Sequence, residues 1–239
     1  MLNDKINWNQ VKKEFRRNQR VAIDGYLDAE FAEEIHRRAA GYENYRLNFV
    51  LNNKNESWSS QRLSSLAPHE SERLWNKIHE QAASGQGFAY EGFMPNNLLI
   101  NADVNLSVIT NLYSIWTGEN HLDRIRQISG FGNINSVDGQ ITRFLPGHFL
   151  TRHRDTVPGK GRRLAYVLGL TKNWHPDWGG LLQFYRQNGT VFDTWIPSFN
   201  RLVLFDIDLI HAVTHVAPYA RAPRISMTGW FMQSQSTVF

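Results

Sequence analysis

The sequence predicts an α+β fold with a mainly β core, a jelly-roll double sheet with helices packed against its outside. From Gly130 onward, short runs rich in β-branched and aromatic residues alternate with turn residues. Before Gly130 the apolar residues recur mostly at three- and four-residue spacing, the helical period. A chain of 239 residues can bury one full core, and no repeat, low-complexity stretch or interdomain linker divides it. The expected layout is one domain over 1–239, with a mostly helical part at 1–129 and the jelly-roll core at 130–239.

In order along the chain, Trp8, Val11 and Phe15 mark a short amphipathic helix, and Val21-Ala22-Ile23 a short strand. Asp28 offers an N-cap to a helix carrying Phe31 and Ile35, with Gly41 as its stop. Leu74 and Ile78 place another helix ending near Gly85. Asp103–Trp116 and Glu119–Ser129 read as a helical pair split at Gly118, the first with an apolar stripe of Leu106, Ile109, Leu112, Tyr113 and Trp116 that belongs to a core. Strands are expected at Ile134–Ser136, Gln140–Leu145, Leu150–His153, Leu164–Leu170, Leu181–Tyr185, Thr190–Trp195, Leu202–Ile207, His211–Val216 and Ile225–Phe231. Strands in this number after a helical region suit a jelly roll.

Composition narrows the function. The absence of cysteine excludes disulfides, thiolate metal sites and a cysteine nucleophile. The formal charge of +4 comes from scattered basic residues without a nucleic-acid motif, so direct nucleic-acid binding is not expected. The start, Met1-Leu2-Asn3-Asp4-Lys5, is polar, and no stretch is long enough to span a membrane, which makes the cytoplasm the expected location. Oligomeric state is left open.

The chemistry concentrates in His153-Arg154-Asp155. Residues i and i+2 of an extended segment point the same way, so His153 and Asp155 can grip one ion from a single strand end. Alone, His-x-Asp is a common surface charge pair. Here it follows an apolar strand and the turn at Pro146-Gly147 and precedes Pro158-Gly159, which sets it at the mouth of a sheet. Two imidazoles and one carboxylate take one face of an octahedral Fe(II) and leave three positions open. The second imidazole comes from His211 or from His215, which share strand parity. Arg224 opens the last apolar strand, where a guanidinium is costly unless it meets an anion, and its fork suits a carboxylate. Ser226, on the same face, can add a hydroxyl. Gly179-Gly180 allows close backbone approach, and His148 and His175 are further candidates for lining a pocket.

On Phe144-x-Pro146-Gly147-x-Phe149-Leu150-x-x-His153-x-Asp155 and Arg224-x-Ser226, the chain resembles the prolyl-hydroxylase-like Fe(II)/2-oxoglutarate-dependent oxygenases over about residues 140–232. Within them it is similar to the catalytic domain of the ribosomal-protein prolyl hydroxylases, through Gly161-Arg162-Arg163-Leu164-Ala165-Tyr166, Trp178-Gly179-Gly180, Ile196-Pro197-Ser198-Phe199-Asn200-Arg201, His211-x-Val213 and Gly229-Trp230-Phe231. The resemblance implies a double-stranded β-helix, Fe(II) as cofactor, 2-oxoglutarate and O₂ as cosubstrates, and a dioxygenase that hydroxylates an unactivated C–H bond. It implies His153, Asp155 and His211 as metal ligands, with Arg224 and Ser226 holding 2-oxoglutarate. The carboxylate of Asp155 fills the position that a halogenase would vacate for halide. Two departures stand out: Gly169 occupies the position of a tyrosine that binds the cosubstrate's distal carboxylate in the family, and no counterpart is expected to the additional C-terminal domain of the eukaryotic enzymes. The expected substrate is a prolyl residue of a protein or peptide, with a free amino acid or other small metabolite as the alternative. A catalytically silent metal-binding jelly roll is the alternative from another class. The polar stretches Leu51–Ser64 and Lys172–Trp178 are expected as loops near the site that close over a small substrate or grip a peptide.

Overall fold

The computed structural model describes residues 1–94 and 107–233. Its centre is a curled, wholly antiparallel sheet in the order β1-β11-β8-β13-β6-β4-β7-β12-β9-β10, with β2, β3 and β5 attached beside that path. The strands are β1 Arg20–Asp24, β2 Arg46–Leu51, β3 Lys54–Ser59, β4 Phe88–Phe93, β5 Ser136–Val137, β6 Gln140–Phe144, β7 Phe149–His153, β8 Arg162–Gly169, β9 Leu182–Tyr185, β10 Val191–Trp195, β11 Arg201–Asp206, β12 Ile210–Val213 and β13 Arg224–Met232. The expected strands of the second half fall on these within a few residues, and the fold is the jelly roll the sequence predicted. β4 joins the two halves of the curl, pairing with β6 through Glu91–Phe93 and with β7 through Phe88–Ala89.

The described helices are α1 Trp8–Asn18, α2 Ala29–Ala40, α3 Ser60–Ser64, α4 Pro68–Ala83, α5 Ser107–Thr117 and α6 Glu119–Ser129. Strand alternation decides where they pack. Leu164, Tyr166 and Leu168 of β8 and Ile225, Met227 and Phe231 of β13 face outward and form one apolar core with Phe15, Ile35, Ile109, Leu112, Trp116 and Ile125. Trp116 sits at its middle, edge-on to Tyr166 at 4.5 Å. The apolar stripe expected on α5 is therefore core; residues 103–106 of that expected helix, Leu106 among them, lie outside the described residues. Because Leu164, Tyr166 and Leu168 turn outward, Ala165, Val167 and Gly169 are left to the concave interior.

Three departures matter to the site. The first 129 residues hold β2, β3 and β4, which the helical reading missed, and these strands extend the sheet. Leu51–Ser64 is not a loop: it runs through β3 into α3, and Asn52 and Asn53, at φ +52° and +59°, close β2 and β3 into a hairpin. Both central residues of such a turn need positive φ, which asparagine tolerates. Asp28 stands at the N-cap of α2 but makes no side-chain cap bond; its carboxylate pairs with the amino group of Met1 at 2.7 Å.

Candidate metal centre and cosubstrate pocket

His153 ends β7 and faces His211 of β12 directly in the strand register, with ring centroids 4.2 Å apart. The register slips between this pair and the Leu150–Val213 pair, a β-bulge that re-aims the strand end beside the site. Asp155 lies two residues past β7, where its N–H donates to the Ile207 carbonyl at 3.0 Å. The same segment is tied to the β11–β12 turn by Thr156, whose hydroxyl donates to Asp208 at 2.7 Å. The carboxylate oxygens of Asp155 are each 3.5 Å from one Nε2, of His153 and of His211. The donor atoms of all three residues lie within 4.8 Å of one another, and among the described residues this is the cluster able to hold a metal.

Both rings are set for ligation by Nε2. Nδ1 of His153 donates to the Thr151 carbonyl and Nδ1 of His211 to that of Leu209, each at 2.9 Å. With Nδ1 carrying the proton, the Nε2 lone pair is free. Burial, with His153 beside it, lowers the pKa of His211 to about 4, so the imidazole is neutral. Burial alone would raise the pKa of Asp155, but His153, His211 and the Trp230 indole hold it below the usual carboxylate value. Two imidazoles and one ionised carboxylate are the donor set Fe(II) takes, and the residues fit it.

A cavity of about 680 Å³ is lined both by this cluster and by Arg224. Arg224 is buried, and its Nε has no hydrogen-bond partner. No carboxylate pairs with it among the described residues; its guanidinium lies over the Phe144 ring at 5.0 Å, and burial lowers its pKa to about 10. A buried cation without a counter-ion, in the cavity that holds the candidate metal ligands, fits a carboxylate ligand. Gly180, at φ +62°, makes room for it: a Cβ there would lie 3.1 Å from Arg224 Cδ. Ser226 is buried, its hydroxyl 3.0 Å from that of Thr142, and it lines not this cavity but a small adjoining one that Arg224 also lines.

The other sequence candidates fall elsewhere. His215 leaves the cluster and stacks on Phe149 at 4.4 Å, beside His79. His148 is buried against Trp75, and the exposed His175 caps the short turn at Pro176–Trp178, so neither lines the cavity. Sequence reasoning missed Tyr90, Gln140 and Thr142, which line the cavity from β4 and β6, and the role of Arg162. Arg162 lies flat on Trp230 at 3.3 Å and donates to the Asp155 carbonyl at 3.3 Å. The run Phe88-Ala89-Tyr90-Glu91, bounded by glycines, carried the strand signal that would have found Tyr90.

Comparison with known proteins agrees with this geometry. Residues 139–232 match the family model described as the 2OG-Fe(II) oxygenase superfamily. Over 114 residues, 45% of this chain, the sequence is 30% identical to "Prolyl 3-hydroxylase OGFOD1" of Mus musculus, of which the match spans only 20%. In structure it is similar to a Pseudomonas putida prolyl-4-hydroxylase, with a TM-score of 0.57 at 17% identity over 95% of this chain and 100% of that one. It is also similar to a Trichoplax adhaerens prolyl hydroxylase solved with a hypoxia inducible factor peptide fragment, with a TM-score of 0.61 at 19% identity over 95% and 89% of the two chains. At these identities the structural likeness shows the fold, the jelly roll of the 2-oxoglutarate oxygenases.

Proposed function

We propose, from the premise that residues 139–232 of this chain are a 2OG-Fe(II) oxygenase domain, that the enzyme hydroxylates a prolyl residue in a protein or peptide. The dioxygenase chemistry belongs to the family; the substrate and the residue roles are our reading. The observation that carries it is one cavity lined by both the His153–Asp155–His211 cluster and the uncompensated Arg224. When bound, Fe(II) with 2-oxoglutarate and O₂ supplies the oxidant that turns C–H into C–OH, while 2-oxoglutarate is consumed to succinate and CO₂.

The chain's own residues set where this happens. His153, Asp155 and His211 would hold the metal, and Arg224 with Ser226 would hold the distal carboxylate of 2-oxoglutarate. The Thr142 hydroxyl lies 3.2 Å from the Ser226 carbonyl and 3.0 Å from the Ser226 hydroxyl; turning its one proton from the carbonyl to the serine oxygen would free the serine proton for Arg224's ligand. Phe144 and Leu150 line the cavity with apolar surface that excludes water.

A peptide is favoured over a free metabolite by the mouth of the cavity, where Asn53, Asn55 and Gln86 present carboxamides. Each carboxamide both donates and accepts, as a peptide backbone requires. Asn53, at the hairpin tip, is locked to Gln81 of α4 by two bonds, 3.1 and 2.9 Å long. The mouse relative, of which this chain covers about a fifth, is a prolyl 3-hydroxylase by name, which points the same way. The proposal includes a cytoplasmic setting, in keeping with a chain that has no cysteine to oxidise; no described helix is long and apolar enough to cross a membrane. The silent-module alternative is set aside by the complete ligand cluster and the family match. Incubation with Fe(II), 2-oxoglutarate and either proline-containing peptides or free amino acids, read by mass spectrometry, tests the proposal. A gain of one oxygen on a prolyl residue is expected; a gain on free amino acids alone would overturn the peptide reading.

A further inference from the structure

Strand β8 presents Gly169 where the resemblance places a tyrosine, and the structure shows why no side chain stands there. A Cβ on Gly169 would lie 2.1 Å from the Ser198 carbonyl oxygen. The loop carrying Ser198 is held in place by the Asn200 N–H, which donates to the Gly169 carbonyl at 2.8 Å, and by the Asn200 side chain, bonded on both sides to the Leu27 backbone. Backbone therefore fills the space a phenol would need. Tyr166 does not replace it: its hydroxyl points outward and donates to the Asp138 carbonyl at 2.8 Å.

Among the described residues one other phenol lines the cavity, that of Tyr90 on β4. Its ring stacks on Phe144 at 5.3 Å and 20°, and Phe144 is the residue paired with Arg224 across β6 and β13. From there the side chain reaches to Gln140, which pairs with Thr228, two ladder steps beyond the Thr142–Ser226 pair. Tyr90 thus lines the same cavity as Arg224, Arg162 and Asp155, with its hydroxyl held at Gln140. Gln140 Nε2 donates to the phenol oxygen at 3.1 Å. A phenol has one proton to give, and no acceptor takes it among the described residues. Burial raises the pKa of Tyr90 above its ordinary value, so it stays a neutral donor.

We propose that Tyr90, oriented by Gln140, donates this free hydrogen bond to bound 2-oxoglutarate, from β4 rather than from β8. The proposal rests on the reading that the cavity takes 2-oxoglutarate beside Arg224. It gives this enzyme a cosubstrate contact from an element that precedes the matched oxygenase residues, so the matched segment alone does not complete the pocket.

The test is calorimetric titration of 2-oxoglutarate into the full chain loaded with redox-silent Mn(II), without turnover. Tyr90→Phe removes only the hydroxyl and is expected to weaken 2-oxoglutarate binding about tenfold, with Mn(II) affinity and Tm unchanged. Gln140→Met, which leaves the phenol but frees it to rotate, is expected to weaken binding by a smaller factor. Wild-type affinity in Tyr90→Phe overturns the proposal, and a raised KM for the hydroxylated peptide alongside it would make Tyr90 a substrate contact instead. Failure of the wild-type protein to bind 2-oxoglutarate would overturn the cosubstrate reading itself, and the role of Tyr90 with it.

Discussion

Replacing Arg224 with methionine should make the ligand-free protein more stable and at the same time blind to 2-oxoglutarate. The guanidinium is 3% exposed, and its pKa falls to about 10 through burial. The folded value lies below the free one, so the guanidinium stays charged and the folded state carries the cost of that buried charge in full at every pH below about 10, neutral pH included. Against an ordinary arginine value of about 12.5, the drop corresponds to on the order of 3 kcal/mol of unreturned desolvation. Methionine keeps most of the stem's packing on Phe144 without the charge, and replacing buried ionic groups by apolar ones is commonly neutral or stabilising by about 1–4 kcal/mol. For a chain of this size each kcal/mol moves Tm by about 2–4 °C, so Arg224→Met should melt up to about 10 °C higher than wild type without ligand. Wild type with Mn(II) should gain stability on adding 2-oxoglutarate, by about 2.7 kcal/mol at one hundred times Kd, while the variant should gain almost none. Scanning calorimetry with and without 2-oxoglutarate reads both effects. A variant that melts lower than wild type and still responds to 2-oxoglutarate would refute the reasoning on both counts.

Other expectations follow from the same structure. Alanine at His153, Asp155 or His211 should each abolish metal-dependent turnover and Mn(II) binding seen by electron paramagnetic resonance, whereas His215→Ala should keep most of both; the reverse pattern for His211 and His215 would refute the ligand assignment. Burial lowers the pKa of His121 to about 3 and of His148 to about 4. The unfolded chain therefore binds protons that the folded one does not between about pH 6.5 and 4, and stability should fall with pH across that window by up to about 3 kcal/mol per unit for two histidines. Urea unfolding midpoints from pH 7.5 to 4.5 measure the slope, and a flat profile would argue against two neutral buried rings. Gly169→Tyr should lower Tm and weaken 2-oxoglutarate binding, since the side chain must displace the Ser198 backbone; a gain in affinity would show that the loop yields easily.

The legible part of the fold is the part whose strands carry a one-sided pattern. Leu164, Tyr166 and Leu168 alternate with small residues because one face meets helices and the other a cavity, and both requirements are written in side-chain size. β2 through β4 were less legible for a physical reason. β3 is Lys54-Asn55-Glu56-Ser57-Trp58-Ser59, a strand at the margin of the sheet that buries none of its residues fully, so its alternation carries little hydrophobic signal. Only the asparagine pair at the turn and the alternate burial of Leu47 and Phe49 in β2 betray the hairpin.

The same contrast divides the site. His153, Asp155 and Arg224 stood out as candidates because each is an expensive residue in its local setting, whereas His211 and His215 were equal on the residues alone and only the resemblance chose between them. Tyr90 did not stand out, because a half-buried tyrosine in a strand is ordinary. Its importance arises only from what faces it across β4, β6 and β13, a juxtaposition that strand pairing creates and no local pattern records. Gly169 shows the opposite limit. The sequence revealed a missing side chain but not its cause, which is a loop from beyond β10 whose carbonyl oxygen fills the vacant space. Strand β8 cannot regain a tyrosine unless that loop moves, while the cavity keeps a buried cation that still requires an anion. The donors that complete its ligand's shell must then come from other strands, and β4, β6 and β13 are the ones that line the cavity with uncommitted or reorientable hydroxyls.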